Sequence, residues 1–270
     1  MSFCEHCTQG RILPGEPTGT MQSDGSYFHP APQSADPANS KKAIIFLTDI
    51  FGLPLKNNKL LPDQLSEALG YDVWAPDVFD GYPPVSEDQL SDGIPDVPGG
   101  AWPLWAKLKF LVMVFFAIPR LISSRPSIAD ERIEMFVKKL QEERKYEKLG
   151  AVGYCFGGAA AVRLGSKGLF NSIVVCHPSI ISKAEISAIN IPTSWVCAEE
   201  DFTFGTMLRN EAEALFAARK DKRDYVDYEF REYKGVVHGF AIRPNLGIPF
   251  IKQAFEGSFD QTVQWFKKTL

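Results

Sequence analysis

The sequence predicts an α/β fold, a mostly parallel central sheet with helices on both faces and a helical insertion beside it. Three observations carry this. Short continuous apolar runs such as Ala43-Ile44-Ile45-Phe46-Leu47 read as strands buried on both faces. These runs alternate with segments of helical periodicity, the pattern of a parallel sheet with crossover helices. Finally, Gly153-Tyr154-Cys155-Phe156-Gly157-Gly158 stands between the apolar run Leu149 to Val152 and the small-residue helix start Ala159-Ala160-Ala161-Val162, which reads as strand, sharp turn and helix. A chain of 270 residues can bury a large core without disulfide staples.

Along the chain, residues 1–40 are rich in Gly, Pro, Ser and Thr and read as an N-terminal arm, or a small antiparallel lead-in, on or beside the core. Cys4-Glu5-His6-Cys7 has the spacing of half a zinc site, but no second ligand pair follows, so no metal is expected. Residues 41–270 read as a single α/β domain. The strand at 43–47 ends in Thr48-Asp49-Ile50-Phe51-Gly52. A helix through Lys59 to Leu69 closes at Gly70, and Tyr71-Asp72-Val73-Trp74-Ala75-Pro76 supplies the next strand. Further strands are predicted at 149–152, 173–176, 193–198 and 226–233, and helices at 159–165, 207–220 and 258–268, the last with Phe259, Val263 and Phe266 at helical spacing.

Residues 81–130 break the alternation. Turn-rich Gly81-Tyr82-Pro83-Pro84 gives way to the apolar run Leu108 to Pro119, too short and too closely flanked by charge to span a bilayer. A cap or pocket wall is the reading placed first, ahead of a buried core helix and of contact with a membrane surface.

Composition excludes some functions. A net charge of −4 with no basic block argues against nucleic-acid binding. The first residues carry neither the charged nor the apolar region of a signal peptide, so a cytoplasmic protein with free thiols is expected.

The turn at Cys155 carries the chemistry. It has the form of the nucleophile elbow of an α/β-hydrolase, with a thiol in place of serine, at a helix start that favours thiolate. Such a nucleophile needs a base and a group to orient it. Of four histidines, His6 and His29 lie in the arm. His177 directly follows a strand but precedes any suitable acid, and reads as pocket lining or loop packing. His238, in Gly235-Val236-Val237-His238-Gly239-Phe240, comes late and from a loop, as the hydrolase order of nucleophile, acid, histidine requires. Glu199, Glu200 and Asp201 end the intervening strand and are not separable by spacing; Asp201 is chosen as the deepest in the loop. The backbone N–H groups of Phe156 and Ile50 are the expected oxyanion hole, with Asp49 beside them.

Taken together, Thr48 to Gly52, Ala75-Pro76-Asp77-Val78-Phe79, the elbow, Cys176-His177-Pro178-Ser179 and Val237-His238-Gly239-Phe240-Ala241 resemble the dienelactone hydrolase family, and the arm is similar to its fungal members. The resemblance implies a Cys155, Asp201 and His238 triad that opens a lactone or cleaves a small ester through an acyl-cysteine, a carboxylic ester hydrolase needing no cofactor. Asp49, Phe51, Tyr154 and Arg243 are the candidates for touching substrate or tuning the thiol. Three departures bear on the substrate. Bacterial members place a glutamate where Asp49 stands, and an arginine where Gly81 aligns. A second arginine directly follows their His-Gly-Phe-Ala, whereas here Ile242 intervenes before Arg243. A weakened carboxylate clamp beside an apolar insertion predicts a more apolar substrate. Two other readings stand beside the enzyme: a non-catalytic or regulatory binding protein on the hydrolase scaffold, and a redox sensor at Cys155, although no resolving cysteine is evident. Oligomeric state is not legible.

Overall fold

The computed structural model describes residues 11–86 and 95–270. Cys4, His6 and Cys7 lie outside them. Eight strands form one sheet: β1 (Thr20–Met21), β2 (Tyr27–His29), β3 (Lys42–Leu47), β4 (Asp72–Ala75), β5 (Lys148–Tyr154), β6 (Ser172–Cys176), β7 (Thr193–Glu200) and β8 (Tyr228–Val237). Seven α-helices accompany them: α1 (Asn57–Leu69), α2 (Leu104–Ser123), α3 (Pro126–Arg144), α4 (Phe156–Leu164), α5 (Lys183–Ala188), α6 (Thr206–Ala217) and α7 (Pro249–Thr269).

The strand order is β1-β2-β4-β3-β5-β6-β7-β8. From β4 to β8 every neighbouring pair is parallel, whereas β1 and β2 add antiparallel at one edge. Side chains alternate across each strand, so β3 sends Ile44 and Phe46 to one face and Ala43, Ile45 and Leu47 to the other. The first face is covered by α1 and α7, the second by α3 to α6. This double cover explains why β3, β5 and β6 carry continuous runs without charge after their first residues, Lys42, Lys148 and Ser172.

Two departures from the expected elements have simple causes. The N-terminal segment sends Leu13 and Tyr27 into the core, although its composition is that of a loop. Tyr27 donates to buried Asp63 of α1, and Asn57 of α1 donates to the Arg11 and Ile242 carbonyls, so hydrogen bonds rather than apolar bulk hold this segment. Helix α3, for which no expectation was made, buries Ala129, Ile133, Val137 and Leu140, a helical stripe in an otherwise charged sequence.

Because the chain steps from β3 outward to β4 and then back across β3 to β5, the strand order reverses between β3 and β5. Loops leaving the carboxyl ends of these two strands diverge and open a crevice there. Both the Asp49 loop and the Cys155 turn leave the sheet at this point.

Candidate active site

The Cys155 turn is built from steric necessity. Cys155 sits at φ 51°, ψ −108°, in the left-handed region that side chains avoid, directly before α4. A Cβ on Gly153 would lie 2.1 Å from the Gly157 carbonyl oxygen, and one on Gly157 would lie 2.1 Å from that of Leu47. Only glycine fits where α4 crosses β5 and β3 so closely. Backbone bonds hold the strained residue: the Cys155 amide donates to the Cys176 carbonyl at 3.1 Å, and its own carbonyl accepts from Ser179 at 2.8 Å.

The same contact positions the donor loop. Gly157 donates to the Thr48 carbonyl at 3.0 Å, which pins the loop after β3 to the start of α4. Ile50 lies two residues beyond, and its amide has no acceptor among the described residues. The Phe156 amide belongs to the first turn of α4, where no carbonyl within the helix can reach it.

Asp201 and His238 arrive from the ends of β7 and β8. Asp201 Oδ2 stands 2.9 Å from His238 Nδ1, and the two side chains are 1% and 8% exposed. The Thr203 and Phe204 amides donate to Asp201 Oδ1 at 2.8 and 3.0 Å. Burial works to raise the Asp201 pKa, but the His238 contact and these donors outweigh it and hold the carboxyl well below its ordinary range. Burial likewise works to lower His238. The charge of the Cys155 sulfur, the bond to Asp201 and a hydrogen bond to Cys155 win, and the imidazole is pushed up from 6.5 to about 10. With Nδ1 on the carboxylate, Nε2 is left for the sulfur.

The remaining expected residues divide. Asp49 is buried, with Oδ1 accepting from the Phe51 amide and from Asn58 Nδ2. Its Oδ2 faces Arg243 Nε at 3.6 Å, and the Arg243 guanidinium lies 4.4 Å from the centroid of Phe51. Burial pushes the Asp49 pKa up against the pull of Arg243. Phe51 is buried beneath α2 with Leu55, Val85, Met113 and Ala117. Tyr154 is buried in the core against Phe46, its pKa driven up by burial and the Cys176 thiol, beneath the turn rather than beside the crevice. Gly81 sits in an exposed turn, its amide donating to Asp77 Oδ2, and a side chain built there would meet nothing within 4 Å.

His177 lies within the protein between Tyr154, His238 and Phe240, and neither ring nitrogen has a hydrogen-bond partner among the described residues. Burial, then the charge of His238, press its pKa down to about 3, so it is neutral. Of the neighbouring acids, Glu199 pairs with Lys234 and Glu200 accepts from the Gly99 amide. Thr203 and Asn58 escaped sequence reading. Their signal is position: Thr203 follows the acid by two residues, as in an Asx turn, and Asn58 opens a helix directly after the donor loop.

Beside His238 and Asp201 is a cavity of about 370 Å³ whose other walls include Trp102, Phe110, Phe202 and Val237. Trp102 and Phe110 belong to the insertion. A thiol at a strand-to-helix turn, with an imidazole–carboxylate pair and two unoccupied amides at one sheet edge, is equipped for acyl transfer.

A sequence model of the dienelactone hydrolase family matches residues 31–270. The chain belongs to the dienelactone hydrolase family. Its similarity to the Hydrolase pyvD of Aspergillus violaceofuscus is 32% identity, over 98% of this chain and 96% of that one. The human carboxymethylenebutenolidase homolog is 25% identical over 86% of this chain and 84% of its own. A putative dienelactone hydrolase from Klebsiella pneumoniae superposes with a TM-score of 0.65 at 13% identity, covering 90% of this chain and 92% of that one, and shows the same fold. This member of the dienelactone hydrolase family is therefore a hydrolase with an α/β-hydrolase fold.

Proposed function

We propose that this hydrolase cleaves a small, predominantly apolar ester or lactone through an acyl-cysteine on Cys155. The observation that carries the reading is geometric: a buried His238–Asp201 pair at 2.9 Å stands at the same sheet edge as the strained Cys155 turn, and the contacts of His238 with both groups favour its protonated form. With the proton on His238, sulfur attacks the acyl carbon and the carbonyl oxygen takes up the negative charge, received by the Ile50 and Phe156 amides. As the tetrahedral adduct collapses, the C–O bond breaks and His238 gives its proton to the departing oxygen. Neutral His238 then takes a proton from water, which attacks the thioester, and breaking of the C–S bond releases the acid and returns the Cys155 thiolate beside protonated His238. Asp201 orients the imidazole throughout. No step requires a cofactor.

The substrate class follows from what is near the site. Trp102, Phe110 and Phe202 give the cavity an aromatic wall. The position aligned with one clamp arginine is Gly81, and Arg243 faces Asp49 across 3.6 Å. That leaves little unpaired positive charge for a substrate carboxylate.

The test has two parts. Rapid quenching during turnover of a neutral aryl ester, followed by peptide mass spectrometry, is expected to show one acyl group on Cys155 and none on Cys155→Ala. Steady-state kinetics should favour neutral aryl or short-chain acyl esters over anionic dienelactone. Full activity of Cys155→Ala rejects the nucleophile, and a strong preference for dienelactone rejects the apolar substrate.

A further inference from the structure

Helix α2 contradicts the usual economy of a folded surface. It is 20 residues long and buries only Ala106, Met113 and Ala117. Leu104, Leu108, Leu111, Phe115 and Ile122 are spaced so that they fall along one line of the helix, opposite the packed face. They are 58–83% exposed, and Trp105, Val112 and Phe116 beside them are exposed as well. Isolated exposed apolar side chains are ordinary, but a contiguous stripe along an entire helix marks an interaction surface.

The charges around it identify the partner. From Val97 to Ala129 the sequence has no Asp or Glu, while Lys107, Lys109, Arg120 and Arg125 are basic, within a chain that is net −4 overall. By helical spacing Lys107 flanks the stripe near one end and Arg125 follows the other, while Lys109 and Arg120 fall on the side of Met113, where Arg120 donates to the Pro83 carbonyl. Apolar residues facing outward, with basic side chains at the flanks, suit a helix lying in the plane of an anionic lipid surface. The same charges disfavour a second copy of the chain. Two α2 helices packed about a two-fold axis would set two segments, each with basic and no acidic residues between Val97 and Ala129, against each other, with no ion pair to offset the repulsion. No helix among the described residues is long and apolar enough to cross a membrane, so α2 would lie on the bilayer.

We propose that the outer face of α2 docks this hydrolase on anionic membrane surfaces. The packed side of the same helix carries Phe110, which with Trp102 lines the cavity beside His238. Docking therefore sets the cavity wall against the phase in which an apolar ester concentrates. That last consequence rests on the proposed ester chemistry; the docking itself does not.

The test is cosedimentation of the full chain with vesicles, phosphatidylcholine alone or mixed with phosphatidylserine. Wild type is expected to pellet with the anionic vesicles, to bind neutral ones at least about tenfold more weakly, and to release as salt is raised to about 0.5 M. Leu108→Glu/Leu111→Glu/Phe115→Glu should lose binding by more than about tenfold, with circular dichroism and the unfolding transition reporting that the variant is folded. Lys107→Glu leaves the apolar stripe intact and should weaken anionic binding alone. Wild type remaining in the supernatant with anionic vesicles overturns the proposal. So does a wild-type dimer in sedimentation velocity that the triple variant converts to monomer, since the stripe is then occupied by a second copy. Hydrolysis of a water-soluble ester, measured without vesicles, reports on the site independently.

Discussion

Replacing Asp201 with asparagine should lower the titration of His238 while leaving the larger contribution of the Cys155 sulfur in place. The substitution removes one negative charge and keeps the shape. In the native protein that charge lies 2.9 Å from Nδ1, between side chains 1% and 8% exposed. At an effective dielectric constant near 20, unit charges with centres about 4 Å apart attract by roughly 4 kcal/mol. One pK unit corresponds to about 1.4 kcal/mol, so up to about 3 units of the upward displacement are at stake. The sulfur of Cys155 continues to hold the proton, so a fall of about 1–3 units from about 10 is expected. Proton–carbon correlation spectra of the imidazole Cε1, followed over roughly pH 5–11, read this directly. With four histidines in the chain, His238→Gln suffices for assignment. Turnover should fall by about 10²–10⁴, because the amide no longer enforces the productive tautomer. A wild-type midpoint near 6.5, or an unchanged midpoint in Asp201→Asn, would refute the electrostatic account.

The same pair makes stability depend on pH. His238 binds its proton more tightly in the fold than in the unfolded chain. That contribution is complete below about pH 6.5 and vanishes as the pH rises towards about 10, so urea unfolding should show it eroding across this window. Gly157→Ala should destabilise the fold by about 3 kcal/mol and impair turnover, since its Cβ meets two backbone carbonyls at 2.1 and 2.7 Å; a change within about 0.5 kcal/mol in chemical denaturation counts against the packing argument. Asp49→Ala should lose about 2–4 kcal/mol, because it strips acceptors from Phe51 and Asn58 and leaves Arg243 without its counter-charge. Asp49→Asn retains the Oδ1 acceptor and should lose less in the same assay.

What the sequence disclosed follows the range over which each feature is encoded. β3 was legible because burial on both faces makes its residues apolar after Lys42, and the Cys155 turn because its glycines meet a steric demand within one strand–helix unit. Chain order pointed to His238 and to the acidic run at 199–201, and depth in the loop singled out Asp201, which the structure sets 2.9 Å from His238. β1 and β2 were hidden because their anchorage is polar and distant: Tyr27 depends on Asp63, and Leu13 on the side chain of Asn57. Helix α3 was overlooked because charged residues surround its stripe of Ala129, Ile133, Val137 and Leu140. The isolation of His177 could not be read at all, as it depends on Tyr154 from one distant segment and His238 and Phe240 from another.

The structure also separates what holds the chemical groups from what shapes the space before them. Cys155, Asp201 and His238 each leave the end of a parallel strand, and the Ile50 loop is tied to α4 through Thr48 and Gly157. A displacement of any of these requires breaking sheet-edge hydrogen bonds that are shared with the core. The cavity wall has lighter ties. Residues 95–102 are held by the Arg11 and Asn245 bonds to Asp96 and by the Gly99 bond to Glu200. Helix α2 rests on the small cluster of Phe51, Leu55, Val85, Met113 and Ala117. Few backbone bonds therefore oppose a change of Trp102 or Phe110, whereas a change at Gly153 or Gly157 collides with the main chain. The groups proposed for acyl transfer are thus held independently of the insertion that shapes the cavity. The insertion that supplies the aromatic wall also presents the apolar outer stripe, so the proposed choice of an apolar substrate and the proposed docking surface fall on one segment.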